Sequence, residues 1–171
     1  MADMGTDVLT TNLTNPQRVY LWEITIPNPI GGGDTNILQA RAQSTSLPGR
    51  SVGGDILVPY KQTGGIKFPG KLTYTHTWAI TFVEGEDTKV FAAIHAWNQQ
   101  VVNDQSGISA GDENIKSNLF FKELSTKGAD GLQIKLIGCY PESVADVEMS
   151  YASQDVKRLV VTFSYDSWQQ I

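Results

Sequence analysis

The side chains best equipped for chemistry in this 171-residue chain are His76, His95, Cys139 and the carboxylate pairs Glu86-Asp87 and Asp112-Glu113. A metal site needs three or four His, Cys or carboxylate ligands at short spacing. Neither histidine lies in an HxxxH or HExxH pattern, and a single cysteine cannot supply a thiolate set. His76 falls on the inward face of a strand pattern and His95 beside the apolar stripe of a helix pattern, so both read as structural. Cys139 sits in an alternating run and reads as a buried, inert thiol with no disulfide partner. No GxSxG or GxGxxG is present, and Gly31-Gly32-Gly33 is not followed by a P-loop lysine-serine. The carboxylate pairs fall in loops or helix starts, where solvated or capping roles suffice. The sequence therefore predicts no catalytic residue, no metal ligand, no cofactor and no enzymatic activity.

The four tryptophans, Trp22, Trp78, Trp97 and Trp168, could form a stacking platform for sugars or bases. Three of them lie on the apolar face of their element, which favours core packing. Trp168, near the C-terminus, fits a subunit boundary instead. Thirteen basic against 18 acidic residues give a net charge of −5, with Lys157-Arg158 the only adjacent basic pair, so the footprint of a nucleic-acid binder is missing. The composition, 40% apolar and 9% aromatic, is that of a globular protein, most simply one domain over 1–171. No apolar run is long enough for a membrane helix. The polar start MADMGTDVLTTNLTNPQ lacks the order of a signal peptide, which places synthesis and action in a cytoplasm or release by lysis.

The elements that position these residues are mostly strands. Arg18 to Pro27 alternates as a half-buried strand, with Tyr20, Trp22, Ile24 and Ile26 on one face and Arg18, Glu23 and Thr25 on the other, and Asn28 to Thr35 is a turn. Asn36 to Ser46 reads as a strand with Leu38, Ala40 and Ala42 opposite Gln39, Arg41 and Gln43. Lys71 to Gly85 reads as one long strand whose large residues, Leu72 to Phe82, are all even-numbered. The period then changes: Val90, Phe91, Ile94, Trp97 and Val101 mark an amphipathic helix that Asp87 could cap, ending near Asn103 before a polar loop from Asp104 to Asn114. Ser117 to Leu124, Gly131 to Tyr140 and Val156 to Trp168 are further strands, with Asp130-Gly131 as a hairpin signal between the first two. Pro141 to Tyr151 fits either a short strand or an irregular connection. The predicted fold is mainly β, a barrel or sandwich of two packed antiparallel sheets with one α-helix and a long extended arm.

That arm is the most distinctive segment. Between Ser46 and Leu72, glycine and proline punctuate two apolar runs, Ile56-Leu57-Val58 and Ile66-Lys67-Phe68. Long irregular segments in a compact domain are either disordered or functional, and β-branched apolar content argues against disorder. The pattern predicts a hairpin-like arm over 49–71 whose apolar residues need a partner, with a second, polar arm over 1–16.

Taken in order, Ser46-Leu47-Pro48-Gly49, Pro59-Tyr60-Lys61, Ile66-Lys67 with Pro69-Gly70, Trp78-Ala79-Ile80-Thr81-Phe82, a turn at Gly138-Cys139-Tyr140-Pro141 and the closing Tyr165-Asp166-Ser167-Trp168 resemble the tail tube proteins of contractile-tailed bacteriophages, from Arg18 to Trp168. Tubes of type VI secretion and pyocin-like machines are similar in fold. The resemblance implies a virion protein, assembled in the host cytoplasm, whose hexameric rings stack into the inner tail tube. It implies a tail sheath, baseplate and tail terminator proteins as partners, and DNA or a tape-measure protein passing through the lumen without tight binding. Exposed strand edges would let copies pair head to tail, and rings stacked axially need a second contact. Ile56, Leu57, Val58, Tyr60, Ile66 and Phe68 are the candidates for that inter-ring contact. Gln39, Arg41 and Gln43, or Thr73, Thr75 and Thr77, are candidates for a polar lumen wall. Six copies at −5 carry −30 per ring, which would repel phosphate. Two alternatives stand beside this one: the tube of a bacterial contractile injection system, and a β-sandwich ligand-binding module using Trp168 and Tyr151.

Overall fold

A computed structural model describes residues 16–27, 29–62, 64–109 and 111–171; the expected N-terminal arm and the side chains of Asp112-Glu113 lie outside the described residues. The chain order is β1 (Trp22–Thr25), α1 (Thr35–Arg41), β2 (Ala42–Thr45), β3 (Arg50–Gly53), β4 (Ile56–Pro59), β5 (Gly65–Phe68), β6 (Lys71–Tyr74), β7 (Thr77–Val83), α2 (Lys89–Val101), α3 (Asp112–Ile115), β8 (Ser117–Leu124), β9 (Asp130–Val144), β10 (Arg158–Ser164) and β11 (Ser167–Gln170). The fold is mainly β and, among the described residues, every strand pair is antiparallel, as expected from the sequence.

The main sheet runs β1-β8-β9-β10-β7-β2, with β11 added on β9. The long strand β9 joins two halves: its first part pairs with β8 and β11, its last part with β10. Between them Gly138 has φ +71, and a Cβ there would lie 2.1 Å from Asp166 Oδ2. The expected turn at 138–141 is thus a bend inside a strand, which lets the sheet curl over its own core. Inside the curl lie Trp78, Ile80 and Phe82 of β7, Leu159, Val161 and Phe163 of β10, Leu119 and Phe121 of β8, and Val90, Ile94 and Trp97 of α2. Trp78 and Trp97 are fully buried, and their indole nitrogens donate to the carbonyls of Ser46 and Ile115, both at 2.7 Å. Trp22 is half-buried and stacks on Phe121.

Six expectations need correction. The strand expected over 36–46 is helix α1 followed by β2. Asp34 caps α1 by accepting from the Asn36 amide at 2.9 Å, and Leu38 is its buried residue. Alternation over seven residues fits either element, and here the cap decides. The single strand expected over 71–85 is broken at Thr75-His76 into β6 and β7, and His76 has φ +57. His76 is exposed, not inward. The last strand is likewise split, into β10 and β11, around Tyr165-Asp166. Asp130-Gly131 opens β9; the hairpin turn before it is 125–129, closed by Ser125 N–H to Ala129 O at 2.8 Å with Gly128 left-handed. Asp87 does not cap α2, whose N-cap is Thr88 without a side-chain bond. β9 extends to Val144 and 145–157 is irregular, so Pro141 to Tyr151 is part strand and part connection.

Candidate assembly surface

The segment 50–74 leaves the main sheet as one antiparallel hairpin. β3 pairs with β6 and β4 with β5, and the register is continuous between the two ladders: Arg50 opposes Tyr74, Val52 opposes Leu72, Ile56 opposes Phe68 and Val58 opposes Ile66. The ladder pauses where Pro69 brings no amide and where Gly70 passes so close to its partner strand that a Cβ would sit 1.9 Å from Gly53 O. Opposite residues share a face, so Ile56, Val58, Ile66 and Phe68 form one apolar face at the tip, with Val52 and Leu72 paired nearer the root. All six inter-ring candidates, including Leu57 and Tyr60, are 48–59% exposed. Among the described residues every side chain of β3, β4 and β5 is exposed, so the arm does not fold back on its own domain.

The root is held firmly. Tyr165 donates its amide to His76 O at 3.0 Å, His76 Nδ1 lies 3.0 Å from Tyr165 O, and Tyr165 Oη lies 2.9 Å from Thr75 Oγ1. Trp168 donates to Gly49 O at 3.3 Å, stands edge-on to Tyr74, and carries the Arg50 guanidinium over its ring at 5.5 Å. The left-handed His76 is where the chain turns out of the core sheet, and the C-terminal Tyr165 and Trp168 fix that turn. Sequence reasoning placed His76 and Trp168 in other roles because these contacts span about ninety residues or more. The aromatic residues at the end of the arm, Tyr74 and His76, and at the C-terminus, Tyr165 and Trp168, were the available signal.

The two lumen sets do not form one surface within the subunit. Gln39 lies on α1 and donates to Glu23 Oε1, and Gln43 Oε1 on β2 accepts from Arg158 Nε at 2.8 Å. Arg41 ends α1 and makes a two-pronged pair with Asp87 at 2.7 and 2.8 Å, with Glu84 3.5 Å away. Thr73 belongs to the arm, where it pairs with Ser51. Thr75 belongs to the root. Thr77 opens the outward face of β7, followed by Ala79 and Thr81, and faces Ser164 on β10.

Hydrogen bonding to Arg41 holds the Asp87 carboxyl down to about 2. Its unfolded value is about 4, so the pair adds stability that is complete above about pH 4 and is lost as pH falls toward 2. Asp87→Asn is expected to melt lower than the parent at pH 7, with the gap closing by about pH 2; a gap of constant size across a melting series would contradict the pairing. Cys139 is buried, and burial pushes its thiol up to about 12, which leaves it unreactive at neutral pH. Among the described residues no group of three or more His, Cys, Asp or Glu side chains is placed to hold a metal ion, and no helix is long and apolar enough to cross a membrane. The most exposed apolar side chains outside the arm include Met149 at 76% and Tyr151 at 112%, in the 145–157 connection.

A curled antiparallel sheet, two helices packed on it and a projecting apolar hairpin define an assembly subunit more readily than a ligand-binding module. The family model described as phage tail tube protein matches residues 13–171, and the chain belongs to that family. No curated protein matches it in sequence. Among solved structures it is similar to a chain of the anti-feeding prophage cap (AFP tube terminating cap), with a TM-score of 0.70 at 14% identity over 100% of this chain and 99% of that one. It is similar to a chain of the sheath-tube complex of the extracellular contractile injection system PVC in its extended state (TM-score 0.66, 14% identity, 99% of both chains). Hcp1 from Flavobacterium johnsoniae is also similar (TM-score 0.51, 12% identity, 88% of this chain and 94% of that one).

Proposed function

We propose that this chain is the repeating subunit of the inner tube of a contractile tail, that six copies close into a ring, and that rings stack through the arm. The observation that carries this reading is the hairpin itself: a continuous ladder with an apolar face and, among the described residues, no cover from its own domain. A two-stranded hairpin is marginal by itself, and side chains such as Ile56, Val58, Ile66 and Phe68 gain about 1.5–3 kcal/mol each when fully buried. Among the described residues, strands β1, β2 and β11 each have a single neighbour in the sheet, which leaves edges for lateral pairing within a ring.

In this reading the tube carries DNA or a tape-measure protein in a phage virion, is built in the host cytoplasm, is wrapped by a sheath, and meets baseplate and terminator proteins at its ends. The outward face of β7 and β10, with Thr77, Thr81, Thr162 and Ser164, favours the threonine set for the lumen. A hydroxyl-rich wall in an acidic subunit offers phosphate hydrogen bonds but little neutralising charge, so contact stays weak. Likeness along the full chain to components of AFP and PVC supports a second reading, the tube of a bacterial contractile injection system. Capsid and terminase genes beside this one, against effector and secretion genes, would separate the two.

Electron microscopy of the concentrated purified protein tests the assembly. Six-fold rings or hollow rods are the expected result. A monomer at every concentration overturns the proposal, and rings of another number overturn the hexamer.

A further inference from the structure

Charge is unevenly placed along this chain. The arm 50–74 carries four cations, Arg50, Lys61, Lys67 and Lys71, against one carboxylate, Asp55, for a net +3; the chain as a whole is −5, so the remainder is −8. A basic, apolar hairpin thus projects from an acidic body.

The matching surface lies at the other end of the sheet. The arm enters β7 at Thr77, which pairs with Ser164; the far end of β7, Val83, pairs with Arg158, where the irregular 145–157 connection returns to β10. Glu84 N–H donates to Lys157 O at 2.9 Å and ties that connection to the same end. The connection encloses an open groove of about 640 Å³ lined by Val147, Met149, Tyr151 and Val156, with Asp146 and Glu148 among its walls. Neither of those carboxylates has an ion-pair partner among the described residues, whereas Asp155 is taken by Arg158 at 2.7 Å. Lys157 and Arg158 also line the groove, but Arg158 is held by Asp155 and Lys157 lies over the Phe91 ring at 5.8 Å, so the groove offers apolar cover and, in Asp146 and Glu148, two carboxylates outside those pairs.

We infer that the 145–157 groove is the receptor for the arm of a second copy of this chain. Resting on the tube reading above, this names both halves of the axial contact: the Ile56-Val58-Ile66-Phe68 face seats on Val147, Met149, Tyr151 and Val156, while Lys61 at the tip meets Asp146 and Glu148. Two unlike surfaces at opposite ends of one sheet make a head-to-tail contact that repeats without closing, which is what a stack of rings requires. Opposite charge sets the register and polarity of the stack, and the apolar face supplies most of its strength.

Exchange of charge between the two surfaces tests this. Lys61→Glu with Lys67→Glu reverses the arm; Lys67 gives up only an exposed pair with Asp55 at 3.4 Å, so the hairpin survives. Asp146→Lys with Glu148→Lys reverses the groove. Each pair alone is expected to fold, by circular dichroism, and to lose at least about tenfold in sedimentable tube, because several copies act together on each ring. All four substitutions in one chain are expected to restore tubes. Wild-type tube yield from the groove variant, or no rescue by the fourfold variant while it stays folded, overturns this docking. Tubes from a chain lacking the arm altogether also overturn this docking, whereas the wider tube reading falls by a different result, a parent protein that stays monomeric at every concentration.

Discussion

A chain in which residues 54–70 are replaced by Asn-Gly is expected to fold as stably as the parent and to build single rings at most, with no long tubes. The register makes the excision clean, since Gly53 already opposes Lys71 and a two-residue turn can close that pair. Nothing buried is removed. Every described residue between 54 and 70 is exposed except the half-buried Gly70, and the root contacts of His76, Tyr165 and Trp168 lie outside the cut. Its melting temperature should shift by no more than a few degrees, as surface changes move stability by about 0.5 kcal/mol. Assembly should respond very differently. Losing Ile56, Val58, Ile66 and Phe68 removes several kcal/mol from each axial contact, and the copies of a ring lose it together. Negative-stain microscopy and sedimentation read the outcome. Long tubes from this chain would move the axial contact to the N-terminal segment or the 104–114 loop.

The parts of this architecture visible in the sequence are those fixed by local period. β8 has the expected bounds, Ser117–Leu124, and the inward residues of β7 and β10 are the ones alternation selects, because a sheet buried on one face imposes that pattern residue by residue. The apolar runs of the arm were legible for the same reason. The breaks were not. His76 turns out of the sheet without disturbing the even-numbered run of Tyr74, Trp78 and Ile80, so parity continues through a left-handed residue that only the distant Tyr165 holds in place. α1 was hidden by its length, because Leu38, Ala40 and Ala42 alternate as a strand would. With that strand gone, the grouping of Gln39, Arg41 and Gln43 on one face goes too. What the arm covers could not be read from local pattern either, since in the proposed tube the contact lies between copies.

The same parity rule held a prediction that sequence reading passed over. Glu84 continues the even-numbered inward series of β7 past Phe82, and it is the one buried charged residue among those described, its side chain 1% exposed. Its carboxylate accepts from the amides of Val90 at 3.3 Å and Phe91 at 2.7 Å, the second and third residues of α2, and from Gly85 at 3.1 Å. Thr88 provides no side-chain cap, so a residue at the end of a strand caps the helix and pins it to the sheet. Glu84→Ala would leave the buried Val90 amide and the part-buried Phe91 amide without this acceptor, at about 1–3 kcal/mol for each amide that stays unpaired. Arg41 would still keep Asp87, so no stranded charge adds to the loss. Urea denaturation is therefore expected to show a fall of about 2–5 kcal/mol, a large part of the 5–15 kcal/mol typical of a domain. Glu84→Gln should fall between parent and alanine variant, because an amide has one acceptor oxygen and turns an NH2 toward donors. An alanine variant within about 0.5 kcal/mol of the parent would mean that water replaces the carboxylate and that α2 is held by the packing of Val90, Ile94 and Trp97 alone.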